Sequence, residues 1–416
     1  GNLTKGTVIY DNKAADQAIY DNALEYFNLI IDNDGRNASA PGGSALVVLG
    51  DLTITTGKLT LDNAQSLTLT GNFLLTSGEL DPGSNTGHTV SGNWTETGGT
   101  TFEATAGKFT FTGPGSTITT DANAAGTENK FFDLYINPGV GNTVIAGSFL
   151  DIDNELQVTS GTLAMAGQSA DVAGITKIDG TLSQSTGSTF TANGTTDIDG
   201  TLTLGEGIYN ANVLTDIDGT LTLGTGTFTA NGEFNANSGN VTFTAGQAGN
   251  LTLKGIVTDL GTFTSNSAGT VTYNGTAAQN LPGTPTYNNL TINNTSNVIL
   301  TGSPQVDGTL DFTNGIITTN TETLTIGSSG LVANVADEKY IDGFCAKICA
   351  NTNLFIFPVG DEDGSSNKKY RPITLTPSVG GTTIFTANYK SITATNHLSI
   401  TGAGLNHISG GYVPGG

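Results

Sequence analysis

The sequence predicts an all-β protein: a parallel β-helix (β-solenoid) with coils of about 20 residues, followed by a small antiparallel β domain. Three observations predict this fold. A short segment recurs at nearly constant spacing, apolar residues alternate with polar ones inside each copy, and Gly and Thr are abundant whereas helix-forming residues are scarce. Short periodic repeats indicate a solenoid, because each copy can bury its apolar side only against its neighbours.

The repeat is clearest in the middle of the chain. The sequence ITKIDGTL at Ile175–Leu182 returns as TTDIDGTL at Thr195–Leu202 and as LTDIDGTL at Leu214–Leu221. The final leucines of the three copies are separated by 20 and 19 positions. Because strands of successive coils lie about 4.8 Å apart, Leu182 and its two counterparts are predicted to form one buried column.

Alternation within each copy indicates strands. Ile198, Leu202 and Leu204 are separated by Thr, Asp and Gly, the period of two in which one face of a strand is buried and the other is exposed. A copy of this length accommodates two or three short strands with Gly, Asn or Asp at the corners, which is one coil of a β-helix.

The composition limits the classes of partner. The 416 residues are 36% hydrophobic and 12% charged, and the net charge is -22. Nucleic acid is not expected as a partner, because phosphate binding requires a clustered basic surface. The sequence has no run of about 18 or more apolar residues, so no membrane span is predicted. An acidic coat and a first residue, Gly1, that is not Met fit an exported protein, and the predicted location is extracellular or at the cell surface.

A second, longer repeat lies over the first. Gly6–Tyr10 is followed by Tyr26–Asn33, and Gly269–Tyr273 is followed by the similar segment Tyr287–Asn294. A looser copy begins at Gly107. The residues between the paired strands are polar or irregular, and we expect them to leave the solenoid as inserted loops.

The register of the repeat is lost after residue 330. The predicted domains are therefore a solenoid with inserted loops at residues 1–330 and a β-sandwich-like or capping domain at residues 331–416. Cys345 and Cys349 lie in the second domain. A local disulfide between them is expected in an exported protein if the chain turns between the two residues. Two free thiols are the alternative.

The chain resembles secreted and surface β-helix repeat proteins of the Bacteroidetes type. The matching segments are the long repeat at Gly269–Tyr273 and Tyr287–Asn293, the FPVG motif at Phe357–Gly360 and the YRP motif at Tyr370–Pro372. The resemblance implies an adhesin, a filament component or an outer-surface matrix protein. It implies no catalytic residues and no cofactor.

Aspartates at the corners of the repeat form a candidate calcium site. Stacking of the coils predicts that the carboxylates of successive copies lie side by side, where a divalent cation would relieve their repulsion. The residues are Asp179, Asp197, Asp199, Asp216 and Asp218. The alternative is purely structural, because Asp before Gly is a common turn residue whose side chain bonds to nearby backbone.

The sequence predicts that the protein is not an enzyme. A polysaccharide-active β-helix needs paired acids, or an acid with a basic residue, at one place on the surface. Here the aspartates are spread uniformly, and the three histidines, His88, His397 and His407, are far apart in polar surroundings. They are expected at the surface.

The predicted function is that of an extracellular structural subunit. The first residues, among them Leu3 and Val8, are expected to form a strand without a polar cap, and an uncapped edge can pair with a strand of another copy. The expected partner is the protein itself, in a head-to-tail homopolymer. The alternatives are a monomeric adhesin that binds glycan or a neighbouring cell, and a polysaccharide-active β-helix enzyme.

Overall fold

A computed structural model describes residues 5–19, 25–40, 45–102, 104–122, 129–266, 268–362, 367–378 and 383–390. Within these residues the protein is all-β, and its strands wind into a parallel β-solenoid of about 16 turns. The predicted fold class is confirmed. The described part of the chain contains no helix with the length and apolar character of a membrane span.

The N-terminal third of the solenoid consists of short strands and three longer ones, β4, β6 and β17. They are β1 (Thr7–Tyr10), β2 (Gln17–Ala18), β3 (Glu25–Tyr26), β4 (Asn28–Ala40), β5 (Leu46–Val48), β6 (Leu52–Leu61), β7 (Leu67–Leu69), β8 (Phe73–Leu75), β9 (Glu79–Asp81), β10 (His88–Val90), β11 (Trp94–Glu96), β12 (Thr101–Phe102), β13 (Lys108–Phe111), β14 (Thr117–Thr119), β15 (Phe131–Ile136), β16 (Thr143–Ala146) and β17 (Leu150–Val158).

The central third is the most regular. It contains β18 (Thr162–Ala164), β19 (Ala170–Val172), β20 (Ile175–Ile178), β21 (Thr181–Gln184), β22 (Thr189–Ala192), β23 (Thr196–Ile198), β24 (Thr201–Leu204), β25 (Ile208–Ala211), β26 (Thr215–Ile217), β27 (Thr220–Leu223), β28 (Thr227–Ala230), β29 (Phe234–Asn235), β30 (Asn240–Phe243), β31 (Asn250–Leu253), β32 (Val257–Asp259), β33 (Thr262–Thr264) and β34 (Thr270–Tyr273).

The C-terminal third begins with further coils and ends in shorter strands. It contains β35 (Gln279–Leu281), β36 (Thr286–Tyr287), β37 (Asn289–Asn293), β38 (Val298–Leu300), β39 (Gln305–Val306), β40 (Thr309–Asn314), β41 (Ile317–Ile326), β42 (Leu331–Ala333), β43 (Ile341–Cys349), β44 (Phe355–Phe357), β45 (Val359–Glu362), β46 (Lys368–Tyr370), β47 (Ile373–Leu375) and β48 (Thr383–Ala387).

Each central coil contributes one strand to each of three faces. β20, β21 and β22 form one coil, and they pair in parallel with β23, β24 and β25 of the next. We name the faces by their outward side chains in this region. The acidic face contains β20, β23 and β26, the threonine face contains β18, β21, β24, β27, β30 and β33, and the third face contains β19, β22, β25 and β28.

The predicted interior column is confirmed. Leu182 pairs with Leu202 and Leu202 pairs with Leu221, and all three side chains are completely buried. Burial of one such side chain stabilises the fold by about 1.5–3 kcal/mol. This gain requires the neighbouring coils, since a single coil has nothing to cover its apolar side.

Aromatic rings stack in a second interior column. Phe190, Tyr209 and Phe228 occupy equal positions of successive coils, with ring centroids 4.9 and 5.2 Å apart and planes within 5° of parallel. The Tyr209 hydroxyl lies 3.1 Å from the hydroxyl of Thr196, so its polar atom has a partner inside the core. The rings have the same spacing as the coils, because equal positions of paired strands are neighbours. This distance also suits the stacking of aromatic rings.

Glycine after aspartate is required by the close approach of successive corners. A Cβ atom at Gly200 would overlap the backbone carbonyl oxygens of Gly180 and Asp179 in the preceding coil, and one at Gly219 would overlap those of Gly200 and Asp199. The Asp-Gly pairs of the repeat therefore allow the corners to stack at the same spacing as the strands.

The long repeat corresponds to one register of strand pairing. Val8 pairs with Leu29 and Tyr10 with Ile31 near the start of the chain. The later copy repeats this register, and in both copies two tyrosine hydroxyls meet, Tyr10 with Tyr26 at 3.0 Å and Tyr273 with Tyr287 at 3.3 Å. The expectation of a long inserted loop is wrong for the later copy, since the residues between its strands form β35 and β36, which pair with the next coil.

Parallel pairing continues past residue 330. β41 pairs in parallel with β43, and β43 with β45. Antiparallel pairs then follow, β45 with β46, β43 with β48 and β44 with β47. A small antiparallel sheet near the C-terminal end is therefore present, and the predicted boundary at residue 330 does not coincide with the end of the parallel ladders.

Candidate functional site

The predicted cluster of aspartates lies on the acidic face and its adjoining corner. Parallel register aligns Lys177, Asp197, Asp216 and Asn235 in one outward column. Asp199 follows this face at the Asp-Gly corner, as do its counterparts one coil earlier and one coil later. The structure thus brings the five predicted residues to one strip of the surface.

A lysine lies among the first three of these carboxylates. Lys177 Nζ is 2.8 Å from Asp199 Oδ2, 2.9 Å from Asp197 Oδ2 and 3.3 Å from Asp179 Oδ1. The bond from Lys177 lowers the pKa of Asp199, and the bonds to Asp199 and Asp197 raise the pKa of the lysine. An ammonium group therefore supplies counter-charge to three of the five aspartates of the candidate calcium site.

The next coil lacks such a cation. Burial raises the pKa of Asp216, and the charges of Asp218, Asp197 and Asp199 raise it further. Asn235 Nδ2 donates to Asp216 Oδ1 at 3.1 Å and offsets part of this repulsion. Among the described residues no group of three His, Cys, Asp or Glu side chains is arranged to hold a metal ion.

Sequence reasoning missed Lys177, although the repeat contained the signal. ITKIDGTL has Lys at the position where the next two copies have Asp. In a stack of parallel strands, equal positions become neighbours, so one lysine in a column of aspartates is placed to pair with them. The arrangement is an ion-pair network on the surface.

The expected disulfide is corrected by the structure. Cys345 and Cys349 are both on β43, both are buried and both are free thiols. Four residues along a strand separate Cα atoms by about 13 Å, whereas a disulfide needs about 7 Å or less. The turn on which the prediction depended is not formed.

A buried lysine lies between the two cysteines. Lys347 is 7% exposed, and its Nζ donates to the backbone carbonyl oxygens of Gly327, Ser328 and Gly330 at 2.5, 3.2 and 2.9 Å. The ammonium group also lies 4.9 Å from the centre of the Phe355 ring. Burial lowers the pKa of Lys347. These contacts fix β43 to the preceding turn.

The predicted surface position of His88 is wrong. His88 is completely buried, its ring stacks on Phe109 at 4.6 Å, and its Nδ1 accepts a hydrogen bond from Leu67 N at 3.0 Å. Burial lowers the pKa of His88 to about 4. His397 and His407 lie outside the described residues.

Of the two residues predicted to take part in assembly, only Val8 is described. It lies on β1, is partly exposed and packs against the interior. Leu3 lies outside the described residues.

The chain matches no protein-family model, no curated protein and no solved structure.

Proposed function

We propose that this chain is an extracellular, non-enzymatic structural protein, a subunit of a cell-surface filament or matrix that assembles head to tail through strand edges. The single observation that carries the proposal is the edge of the first described coil. Each of its strands, β1, β2 and β3, pairs on one side only within the described residues.

The edge of β1 that has no partner strand among the described residues presents backbone groups suited to another strand. Asn28 N donates to Gly6 O at 3.1 Å, so Gly6 and, by alternation along the strand, Val8 face β4. Thr7 and Ile9 consequently turn their N–H and C=O groups toward the other edge. Ile9 also exposes 53% of its surface. An edge of this kind is a template for a further strand.

The other end of the solenoid offers surfaces that could receive it. β42 pairs only with β40 among the described strands, and Leu331 at its start is 65% exposed. Ile384 on β48 is 61% exposed. A contact between unlike ends of two copies does not close on itself, so it propagates as a fibre.

The charge and the surface network support a non-catalytic role outside the cell. The net charge of -22 maintains solubility of an elongated particle, and three of the five aspartates of the candidate calcium site are ion-paired with Lys177. We propose calcium only as an additional counter-ion for these aspartates, because Lys177 already neutralises part of their charge. The motifs that resemble Bacteroidetes-type surface proteins also support the proposed location.

Electron microscopy and sedimentation of the purified chain at several concentrations test the proposal. We expect end-to-end particles whose length grows with concentration. Ile9→Pro removes an N–H from the unpaired edge and leaves the bonds to β4, so it should block assembly. Ile9→Thr is the matched control, because it keeps the N–H and removes only the apolar side chain. Strictly monomeric rods at all concentrations would contradict the proposal, and glycan binding by such rods would favour the adhesin alternative.

A further inference from the structure

The threonine face carries two outward columns of small side chains, which are hydroxyl or amide side chains at every position except Ala164. Strand pairing aligns them without a register shift from β18 to β33. One column contains Thr162, Thr181, Thr201, Thr220, Asn240 and Thr262, and the other contains Ala164, Ser183, Thr203, Thr222, Thr242 and Thr264.

The columns form a regular two-dimensional lattice. Along a column the side chains repeat at the strand spacing, about 4.8 Å, and across the two columns at the distance between alternate residues of a strand, about 6.7 Å. The residues between the columns point inward and are buried, as Leu202 and Leu221 show. The lattice is therefore fixed by the core beneath it.

The hydroxyl groups of this lattice are available to water. Within the described part of the chain, Thr181, Thr201, Thr203, Thr220 and Thr222 make no side-chain hydrogen bond to another residue. The asparagine column at one corner of the solenoid differs. On the corner after the third face, Asn231 donates to Asn212 at 2.7 Å and Asn212 donates to Asn193 at 2.8 Å.

The lattice is also uncharged, although the chain is strongly acidic. The acidic face places Asp197 and Asp216 at equivalent outward positions, and the third face places Asp171 and Ile208 in its columns. On the threonine face the twelve outward positions hold no charged side chain. Charges orient water around themselves, whereas a neutral array of hydroxyl and methyl groups leaves water free to adopt the order of a neighbouring lattice.

We propose that the threonine face binds ice. The two repeat distances of the lattice are close to the two spacings of water oxygens on a prism plane of ice, so water held by successive threonines would already be in register with the crystal. β-Branched threonine has restricted side-chain rotamers, and rigid strands position it. Little conformational entropy is therefore lost on binding, which is the advantage of a preorganised surface.

Ice affinity purification and recrystallisation assays of the full chain test this proposal. We expect the wild type to enter a slowly growing ice phase, to shape ice crystals and to inhibit recrystallisation. Thr201→Tyr and Thr222→Tyr each place a bulky side chain in the middle of the lattice and should abolish these activities. Asn210→Tyr is the matched control on the third face and should retain them.

Circular dichroism and thermal melting of the three variants show whether each still folds. A wild-type chain that is excluded from ice as an unrelated soluble protein is would overturn the proposal. Equal loss of ice activity in Asn210→Tyr and in the two threonine variants would overturn it as well, because the effect would not belong to this face. The filament proposal is tested separately, since the substituted positions are far in sequence from the unpaired edge of β1.

Discussion

Trp94 and Glu96 are hydrogen-bonded to each other inside the solenoid, with the indole Nε1 donating to Glu96 Oε1 at 2.5 Å. Asp121 N donates to the other carboxylate oxygen at 3.2 Å, and Glu96 is only 4% exposed. Burial raises the pKa of Glu96 to about 7, although these two bonds lower it. The interior thus contains a carboxyl group that titrates near neutral pH.

Glu96→Gln is expected to change the pH dependence of stability. The folded pKa lies above the unfolded value, so the stability of the wild type relative to the variant is present below the unfolded pKa and is lost as pH rises through about 7. Urea unfolding of both proteins in mildly acidic and mildly alkaline buffer measures this difference. Trp94 is the only tryptophan, and its fluorescence should shift with a midpoint of about 7 in the wild type but not in Glu96→Gln.

Glu206→Gln is the control for this experiment, because Glu206 is exposed. It should keep the fluorescence transition. A transition that persists unchanged in Glu96→Gln would assign the titration to another group.

His88 is expected to make the fold sensitive to acid. Its folded pKa of about 4 lies below the unfolded value of 6.5. The contribution of neutral His88 to stability is therefore complete above the unfolded pKa and is lost as pH falls from there through the folded pKa, by about 1.4 kcal/mol per pH unit. His88→Phe, which retains stacking on Phe109, should be less stable at neutral pH but should show a smaller loss of stability across this interval in denaturant titrations. Equal slopes for the two proteins would contradict the assignment.

Lys177→Met should destabilise the acidic face. It leaves Asp179, Asp197 and Asp199 without their cation, and we expect a loss of about 1 kcal/mol at low salt that shrinks as salt is added, because the pairs are partly exposed. Calcium should raise the melting temperature of the variant more than that of the wild type. Lys177→Arg is the control that retains the charge. Equal stabilisation of wild type and variant by calcium would contradict the view that the ammonium group replaces the metal.

Gly200→Ala should destabilise the stack by about 1–3 kcal/mol, since the added methyl group overlaps backbone of the preceding coil and the corner must shift. Gly98→Ala is the matched control. A Cβ atom there is 3.8 Å from its nearest neighbour, Asp121 Oδ1, and Gly98 has no positive φ that would strain alanine. Chemical unfolding of the two variants should separate them clearly, and equal stabilities would contradict the stacking explanation.

Lys347→Met should loosen the C-terminal coils, because three backbone carbonyl groups lose their donor. The free thiols provide the measurement. Burial raises the pKa of Cys345, so both exposure and ionisation are unfavourable in the folded state. We expect thiol reagents to label Cys345 and Cys349 slowly in the wild type and faster in the variant. Unchanged labelling would indicate that Lys347 does not hold β43 in place.

The sequence was sufficient to predict the stacked coils, because the interior depends on period and alternation. Leu182, Leu202 and Leu221 share one column as the spacing required. The disulfide prediction was wrong because Cys345 and Cys349 lie on one continuous strand, and nothing in the spacing of two residues reveals whether the chain turns between them.

Polar residues of the interior could have been predicted better. His88 and Val90 alternate with Thr89, as Trp94 and Glu96 alternate with Thr95, and in each pair the apolar partner marks the buried side. The polar character of His88 and Glu96 favoured a surface position, but the alternation of side chains along the strand determines which residues are buried. Partners such as Gly327 for Lys347 could not be predicted, since they are backbone atoms brought near only by the fold.

The unbroken register of the central coils makes the number of coils adjustable. Thr196 pairs with Thr215 of the next coil, so deletion of residues 196–214 would join Thr195 to a residue that already occupies the equivalent place. In such a chain the interior residues would keep neighbours of the same type in the adjacent coils, and the solenoid would become shorter by about 4.8 Å. Duplication of the same segment would lengthen it by an equal step. Genetic gain or loss of whole coils therefore offers a way to vary the length of the solenoid while the residues at its two ends stay the same.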